Sequence, residues 1–265
     1  MRILVTGGSA GLGAAIAARF AADGAKVLIA DINEPADSAV PFQKLDVRSD
    51  EDWARVRDWV EREWDGLDVL VNNAGVASAG RIERLSMADW DWILDINLKG
   101  VVRGCRTFVP MFKRQGHGHL VNMASLAGLM NLPGMDSYNV SKSGVISLSE
   151  TLRYELAPYG VRTTVVCPAF VPTSLGSRLR SPDPVLAEAA HKMISAGKVS
   201  AEDVAGQVFD AVRDNRFLVL THREGRIAVA VKRFAPWLVD RQVRARWLKV
   251  KRKLDKQDAE EGTTT

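Results

Sequence analysis

Tyr138 and Lys142 lie four residues apart in Tyr138-Asn139-Val140-Ser141-Lys142, within a stretch of helical pattern. That spacing puts phenol and ammonium on one face of a helix. A free phenol titrates at about 10 and is a poor proton partner at neutral pH. A neighbouring ammonium favours the phenolate and lowers that value by roughly one to three units. The product is a phenol poised to give or take a proton. For an isolated pair, a buried tyrosine beside an accidental lysine is the simpler account, so the remaining residues have to decide.

A second chemical signal lies near the N-terminus. Thr6-Gly7-Gly8-Ser9-Ala10-Gly11-Leu12-Gly13 leaves an apolar strand pattern and opens an alanine-rich helical one. Glycines suit a tight turn, and without a Cβ the backbone N–H groups can approach a pyrophosphate. The helix N-terminus favours the same anion. Gly7, Ser9, Gly11, Leu12 and Gly13 are therefore candidate cofactor contacts. Eighteen residues after Gly13, at the end of the next strand pattern, stands Asp31. A carboxylate there accepts both hydroxyls of an adenosine ribose and repels a 2′-phosphate. A glycine turn alone is also compatible with a plain sharp strand-to-helix connection; the spaced acid argues against that. No Arg or Lys occurs in the glycine segment, and Ile32 follows Asp31. A 2′-phosphate would want a cation in one of those places. NAD is the expected cofactor in preference to NADP, with Asp31 and Ile32 at its adenosine end.

These residues need a scaffold. Short β-branched runs at 2–6, 26–30, 42–45, 68–71, 119–123, 162–167 and 217–220 alternate with helical patterns at 12–22, 50–64, 87–114, 137–157 and 201–215. Such alternation belongs to stacked βαβ units around a parallel sheet. Ser200 and Asp203 have the spacing of a capping box. Residues 173–198, with Pro182 and Pro184, interrupt the alternation where α/β enzymes carry substrate lids. One domain over 1–222 and an extension over 223–265 are the simplest division.

Bulk properties exclude several classes. With 265 residues, 46% hydrophobic and 26% charged, the chain can bury a core without disulfides. Cys105 and Cys167 have no metal-ligand spacing and are expected as packed thiols in a reducing compartment. His117, His119, His191 and His222 share no spacing, so no metal is expected. The N-terminus does not resemble a signal peptide, and no apolar run approaches the length that crosses a bilayer. A cytoplasmic location is expected.

Six separated features in order make the sequence similar to the short-chain dehydrogenase/reductase family, in its compact single-domain branch, over residues 1 to about 222. They are the glycine turn, Asp31, Asp46-Val47 after the third strand pattern, and Asn72-Asn73-Ala74-Gly75 after the fourth. Asn97 in Asp95-Ile96-Asn97-Leu98 comes next, followed by Ser125 with Tyr138 and Lys142. Pro168-Ala169-Phe170-Val171-Pro172-Thr173 is a looser seventh match, with Ala169 where the family usually has glycine. The resemblance implies a doubly wound, Rossmann-type three-layer α/β fold with a seven-stranded parallel sheet, and hydride transfer between nicotinamide and an alcohol or ketone carbon. By the same resemblance Ser125 orients the substrate oxygen toward Tyr138, Lys142 also grips the nicotinamide ribose, and Asn97 holds a water that relays protons from Lys142. Asp46 and Val47 would contact adenine, and Asn73, Ala74 and Gly75 would line the cofactor. Pro168, Val171 and Thr173 would face its carboxamide and phosphates. A homodimer or homotetramer built on long helices is implied too. The alternatives are an NADPH-dependent carbonyl or ketoacyl reductase of the same fold, or a catalytically silent membrane-tethered scaffold.

Ala127, Leu129, Met130, Leu132 and Met135, with Phe170, Leu175 and Leu179 from the lid, are the expected substrate wall. An apolar wall with one polar centre suits a hydrophobic secondary alcohol or its ketone, better than a sugar or a charged acid. After Thr221 the family pattern ends. Residues 223–256 carry twelve Lys/Arg against Glu224, Asp240 and Asp255, a net of +9; the last nine residues carry −3, which leaves −2 for residues 1–222 out of the overall +4. Residues 226–254 read as a broken helix interrupted at Pro236. Such a basic, aromatic segment either packs on its own subunit or a neighbour with its charges in water, or makes a peripheral membrane contact. Nucleic acid is not expected, for lack of any base-reading motif.

Overall fold

The computed structural model describes residues 1–35, 39–173 and 175–262; Ser174 of the expected lid and residues 263–265 of the extension lie outside them. The strands are β1 (Arg2–Thr6), β2 (Lys26–Asp31), β3 (Phe42–Lys44), β4 (Val69–Asn72), β5 (Gly118–Met123), β6 (Val161–Cys167) and β7 (Leu218–Leu220). The helices are α1 (Gly11–Ala22), α2 (Asp50–Trp64), α3 (Met87–Leu94), α4 (Gly100–Gln115), α5 (Ala127–Met130), α6 (Asp136–Leu156), α7 (Pro184–Ser195), α8 (Ala201–Arg213), α9 (Arg223–Phe234) and α10 (Pro236–Gly262).

All seven strands are parallel, in the order β3-β2-β1-β4-β5-β6-β7. Successive side chains of a strand point to opposite faces, and here both faces are covered. Leu4, Leu28, Leu70, Leu120 and Val165 pack on one side with Trp53, Phe108 and Phe112 from α2 and α4. Ile3, Val5, Val27, Val69, Val71 and Val121 pack on the other with Ile16, Phe20 and Val208 from α1 and α8. This explains why the strands read as apolar runs and not as alternating ones. The strand order reverses at β1, with β2 on one side and β4 on the other. Ligands in open α/β sheets sit beyond the carboxyl ends of the strands at such a switch.

One element differs from expectation. The helix expected over 87–114 is broken by a π turn, Asp95–Lys99, between α3 and α4. The wide turn carries Asn97, which is fully buried and bonded on both sides to the backbone of Val76. π-bulges of this kind gather at functional sites. The extension packs on its own subunit, one of the two readings of its sequence. α9 follows β7 directly, with Gly225 against Leu126, and the Lys232 ammonium donates to the Leu129 carbonyl. The break expected at Pro236 is present, and α10 then runs back over α7, with Leu254 buried among Ala79, Leu186 and Ala190. Arg81 holds this arrangement by bonding both Asp183, at the start of α7, and Asp258, near the end of α10. Among the described residues no helix is long and apolar enough to cross a membrane.

Candidate active site

The chain leaves β1 at Thr6 and turns at once into α1. Gly7 has φ +62°, and a Cβ there would stand 2.8 Å from the Cα of Ala74; a Cβ at Gly13 would stand 2.1 Å from the Gly7 carbonyl oxygen. Only glycine fits either place. The Asn73 amide donates to the carbonyls of Thr6 and Gly7 at 3.0 and 3.1 Å, and the Thr6 hydroxyl accepts from the N–H groups of Asn73 and Ala74 at 3.0 and 3.1 Å. The loop after β1 is thus bolted to the end of β4. Serines cap α2, α3 and α8, whereas α1 starts after Ala10 with no side-chain cap. Its first N–H groups are free to face an anion. Beside the loop, the Asp31 carboxylate accepts from the N–H groups of Ser9 and Asn33 at 3.1 and 3.2 Å, and a carboxylate with two such bonds still has lone pairs for ribose hydroxyls. A dinucleotide fits this cradle.

The cradle is one end of a cleft of about 1560 Å³, larger than the roughly 300–1,000 Å³ of a pocket for one small ligand. Gly7, Ser9, Gly11, Leu12, Gly13, Asp31, Ile32, Asp46, Val47, Asn73, Ala74 and Gly75 line it, and further along it Ser125, Tyr138, Lys142, Pro168, Val171 and Thr173. Of the expected site residues, only Asn97 lies behind the wall. Its amide accepts from the Val76 N–H at 2.8 Å and donates to the Val76 carbonyl at 2.9 Å and to the Ser141 hydroxyl at 3.2 Å. It fixes the chain just after Gly75, where a Cβ would meet the Asn97 carbonyl oxygen at 3.1 Å and the Lys142 ammonium at 3.5 Å.

Ser125 follows β5, while Tyr138 and Lys142 occupy the first two turns of α6; all three are buried. The Ser125 hydroxyl donates to the Pro168 carbonyl at 3.3 Å and accepts from the Ala127 N–H at 3.1 Å. The Lys142 ammonium donates to the Met123 carbonyl at 2.9 Å and lies 5.9 Å from the centre of the Tyr138 ring. Burial pushes Lys142 down to about 8. The phenol departs from expectation: burial raises it above the ordinary tyrosine value, with the nearby Ser125 hydroxyl pulling the other way. Burial taxes the phenolate directly, whereas the ammonium that should favour it is turned toward Met123. A phenol this well buried stays protonated at neutral pH.

A family model of the short chain dehydrogenases matches residues 1–184. The chain belongs to the short-chain dehydrogenase/reductase family. Over 254 residues it is 34% identical to a CLA biosynthesis dehydrogenase/reductase of Lactiplantibacillus plantarum, covering 84% of this chain and 88% of that protein. It is 35% identical over 180 residues to a 3-alpha-(or 20-beta)-hydroxysteroid dehydrogenase of Mycobacterium tuberculosis, covering 65% and 69%. Among solved structures, a short chain dehydrogenase/reductase from Burkholderia phymatum in complex with NAD superposes with a TM-score of 0.82 at 31% identity, covering 89% of this chain and 94% of that one.

Within this short-chain dehydrogenase/reductase fold, several site residues went unmarked in the sequence. The Nδ1 atom of His222 accepts from the Ala169 N–H at 3.3 Å and lies 2.7 Å from the Thr221 hydroxyl, so the position that departs from the family glycine is held from behind. Arg48 lines the cleft with its guanidinium on Asp46 at 2.6 Å, which holds that carboxyl below its usual range through the hydrogen bonds they share; its place directly after Asp46-Val47 was the available signal. The substrate wall contains Ala127, Met130, Leu132, Met135, Phe170 and Leu175 as expected. Leu129 and Leu179 turn away, the first against the main core and the second against the cluster under α7. Arg178, Arg180 and Arg246 also line the cleft, three cations where only apolar residues were expected.

Proposed function

We propose that the chain is an NAD(H)-dependent oxidoreductase that interconverts a hydrophobic secondary alcohol and its ketone, with Tyr138 as general acid and base. The observation that carries this is the convergence of Ser125, Tyr138 and Lys142 on the cleft that also contains the glycine cradle and Asp31. Bound nicotinamide supplies or removes the hydride. Ser125 donates to the substrate oxygen and holds it against Tyr138, which gives that oxygen its proton as the carbonyl becomes an alcohol. The protonated phenol described above is the form needed for reduction. Lys142 holds the ribose and keeps positive charge beside the phenol; Asn97 fixes the wall behind it and would carry the water of a relay. Asp31 in the adenosine position supports NAD over NADP, and Arg48, which lines that end of the cleft, is engaged by Asp46. The name of one relative, a hydroxysteroid dehydrogenase, supports an apolar alcohol or ketone, whereas those of a galactose and a D-threitol dehydrogenase point to polar ones.

Titrating NADH and NADPH into the protein by fluorescence, followed by turnover of a panel of hydrophobic ketones, tests this. Tighter NADH binding with ketone reduction is expected. Tighter NADPH binding would favour the biosynthetic reductase, and absence of turnover with either cofactor would favour a silent scaffold. We further propose a cytoplasmic protein, on its two buried free thiols, assembled as a homodimer or homotetramer; a monomeric mass by light scattering would refute the assembly. At the α9–α10 elbow Phe234 and Trp237 are 81% and 62% exposed beside Arg233 and Arg241. Peripheral contact with anionic membranes through 226–254 is proposed on that patch, and failure to sediment with anionic vesicles at low salt would retire it.

A further inference from the structure

Beyond the reacting centre the cleft continues between α7 and α10. From α7 come Leu186, Ala190 and Ile194; from α10 come Val239, Val243, Trp247 and Val250. The α10 residues recur at four- and three-residue steps, and with Leu254 they form one stripe of the helix. This wall reaches the reacting centre itself. The Trp247 ring comes within 3.4 Å of the point a Cβ on Gly134 would occupy, and Leu186 within 3.1 Å of the same point; Gly134 precedes Met135 and the first turn of α6. The channel is also held in place, by Leu254 under α7 and by the Arg81–Asp183 and Arg81–Asp258 pairs at its far end.

Arg246 stands on the same stretch of α10, exposed at the channel's rim. Arg81 and Arg84, close by in the fold, are saturated by Asp183 and Asp258. Arg246 has no acid within ion-pair distance among the described residues, and the same holds for Arg178 and for Arg180, whose guanidinium stacks 3.9 Å over the Trp92 ring. An apolar channel that leads from a proton donor and carries the unpaired guanidinium of Arg246 in its lining is complementary to one kind of molecule. Guanidinium matches a carboxylate in a two-pronged bond, and an alkyl chain matches the channel.

We propose that Arg246 receives the carboxylate of an alkyl-chain substrate, whose chain lies between α7 and α10 and whose secondary alcohol or ketone carbon reaches Tyr138. This rests on the function proposed above and narrows its substrate to an amphiphile, where the sequence had disfavoured a charged acid.

Calorimetric titration of the full chain with hexanoate, decanoate and 1-decanol tests the anion site without any turnover. Decanoate should bind more tightly than hexanoate, by up to about fourfold per added methylene, and more tightly than 1-decanol. Arg246→Gln should reduce the preference for decanoate over decanol by about tenfold, a charge-assisted bond at a partly exposed site, and Arg246→Lys should restore part of it. Trp247→Ala should weaken both ligands together. Equal binding of decanoate and decanol by the unaltered protein, or a preference untouched in Arg246→Gln, overturns the proposal. The two readings fail separately. Decanoate binding as described with no ketone turnover would leave the anion site standing and sink the oxidoreductase function. Ketone turnover without a preference for the acid would do the reverse.

Discussion

Replacing Asp183 by alanine should loosen the roof of the cleft and lower the stability of the whole protein. The Asp183 side chain has no exposed surface. It accepts from the Arg81 N–H at 2.8 Å and from the Arg81 guanidinium at 2.8 and 3.1 Å, and it contributes no cap to the α7 helix it precedes. Its main role is therefore to neutralise and orient Arg81, which joins the loop after β4 to α7 and α10, with Arg84 at 3.7 Å as a second partner. Removing one partner of a buried pair costs about 3–5 kcal/mol. Arg81 keeps Asp258, so the low end, about 3 kcal/mol, is expected here. For a chain of this size that is a fall in Tm of roughly 6–12 °C. Asp258→Ala removes an ion-pair partner whose side chain is 39% exposed, and it should produce a clearly smaller shift. Thermal unfolding by circular dichroism gives the two shifts, and hydrogen exchange should show the amides of α7 and α10 losing protection together in Asp183→Ala. Equal shifts in the two variants, or unchanged protection of α10 in Asp183→Ala, would refute the idea that this arginine fastens the extension to the lid.

Further expectations concern the site. Gly13→Ala puts a methyl 2.1 Å from the Gly7 carbonyl oxygen, so NADH binding measured by fluorescence should be lost while the far-ultraviolet spectrum persists. Asn97→Leu leaves the Val76 N–H and carbonyl without their partners; at about 1–3 kcal/mol for each buried unpaired group, urea unfolding should report a loss of several kcal/mol. Lys142 is pushed down to about 8 by burial, against about 10.4 for an unfolded lysine. Above pH 8 the folded side chain sheds its proton while the unfolded one keeps it, so unfolding takes up protons and stability rises with pH in that window. Below pH 8 the penalty for holding a buried ammonium is fully present. Lys142→Met should therefore be the more stable form below pH 8, by up to about 3 kcal/mol, and should flatten the rise between pH 8 and 10. An equally steep rise in the variant would contradict this assignment.

The strands were legible because a sheet covered on both faces demands continuous apolar runs, and the glycine turn because φ of +62° and a contact at Gly13 admit nothing larger. The Tyr138–Lys142 spacing was legible for the same kind of reason, since four residues fix a shared helical face. The direction of the tyrosine's shift was not. It depends on where the ammonium points, and Lys142 points at Met123. The π turn at Asp95–Lys99 was hidden because the same residues suit an α-helix until Asn97 finds the Val76 backbone across the fold. The extension was the largest gap. Its apolar stripe on α10 could be counted in the sequence, but the partners of that stripe, Gly134 and α7, are far away along the chain. Leu129 and Leu179 were placed in the substrate wall by nearness in sequence to Ser125 and the lid; helix geometry turns the first inward, and the second packs into the cluster under α7 from the extended residue that follows a short turn.

The most direct measurement is single-turnover reduction of a hydrophobic ketone by NADH in the protein with Tyr138→Phe. The phenylalanine keeps the ring and its packing and removes only the hydroxyl that carries the proton. Hydride transfer should slow by about 100- to 10,000-fold, the usual worth of a positioned acid, while NADH still binds. A rate within a few-fold of the unaltered protein would contradict the role given to Tyr138.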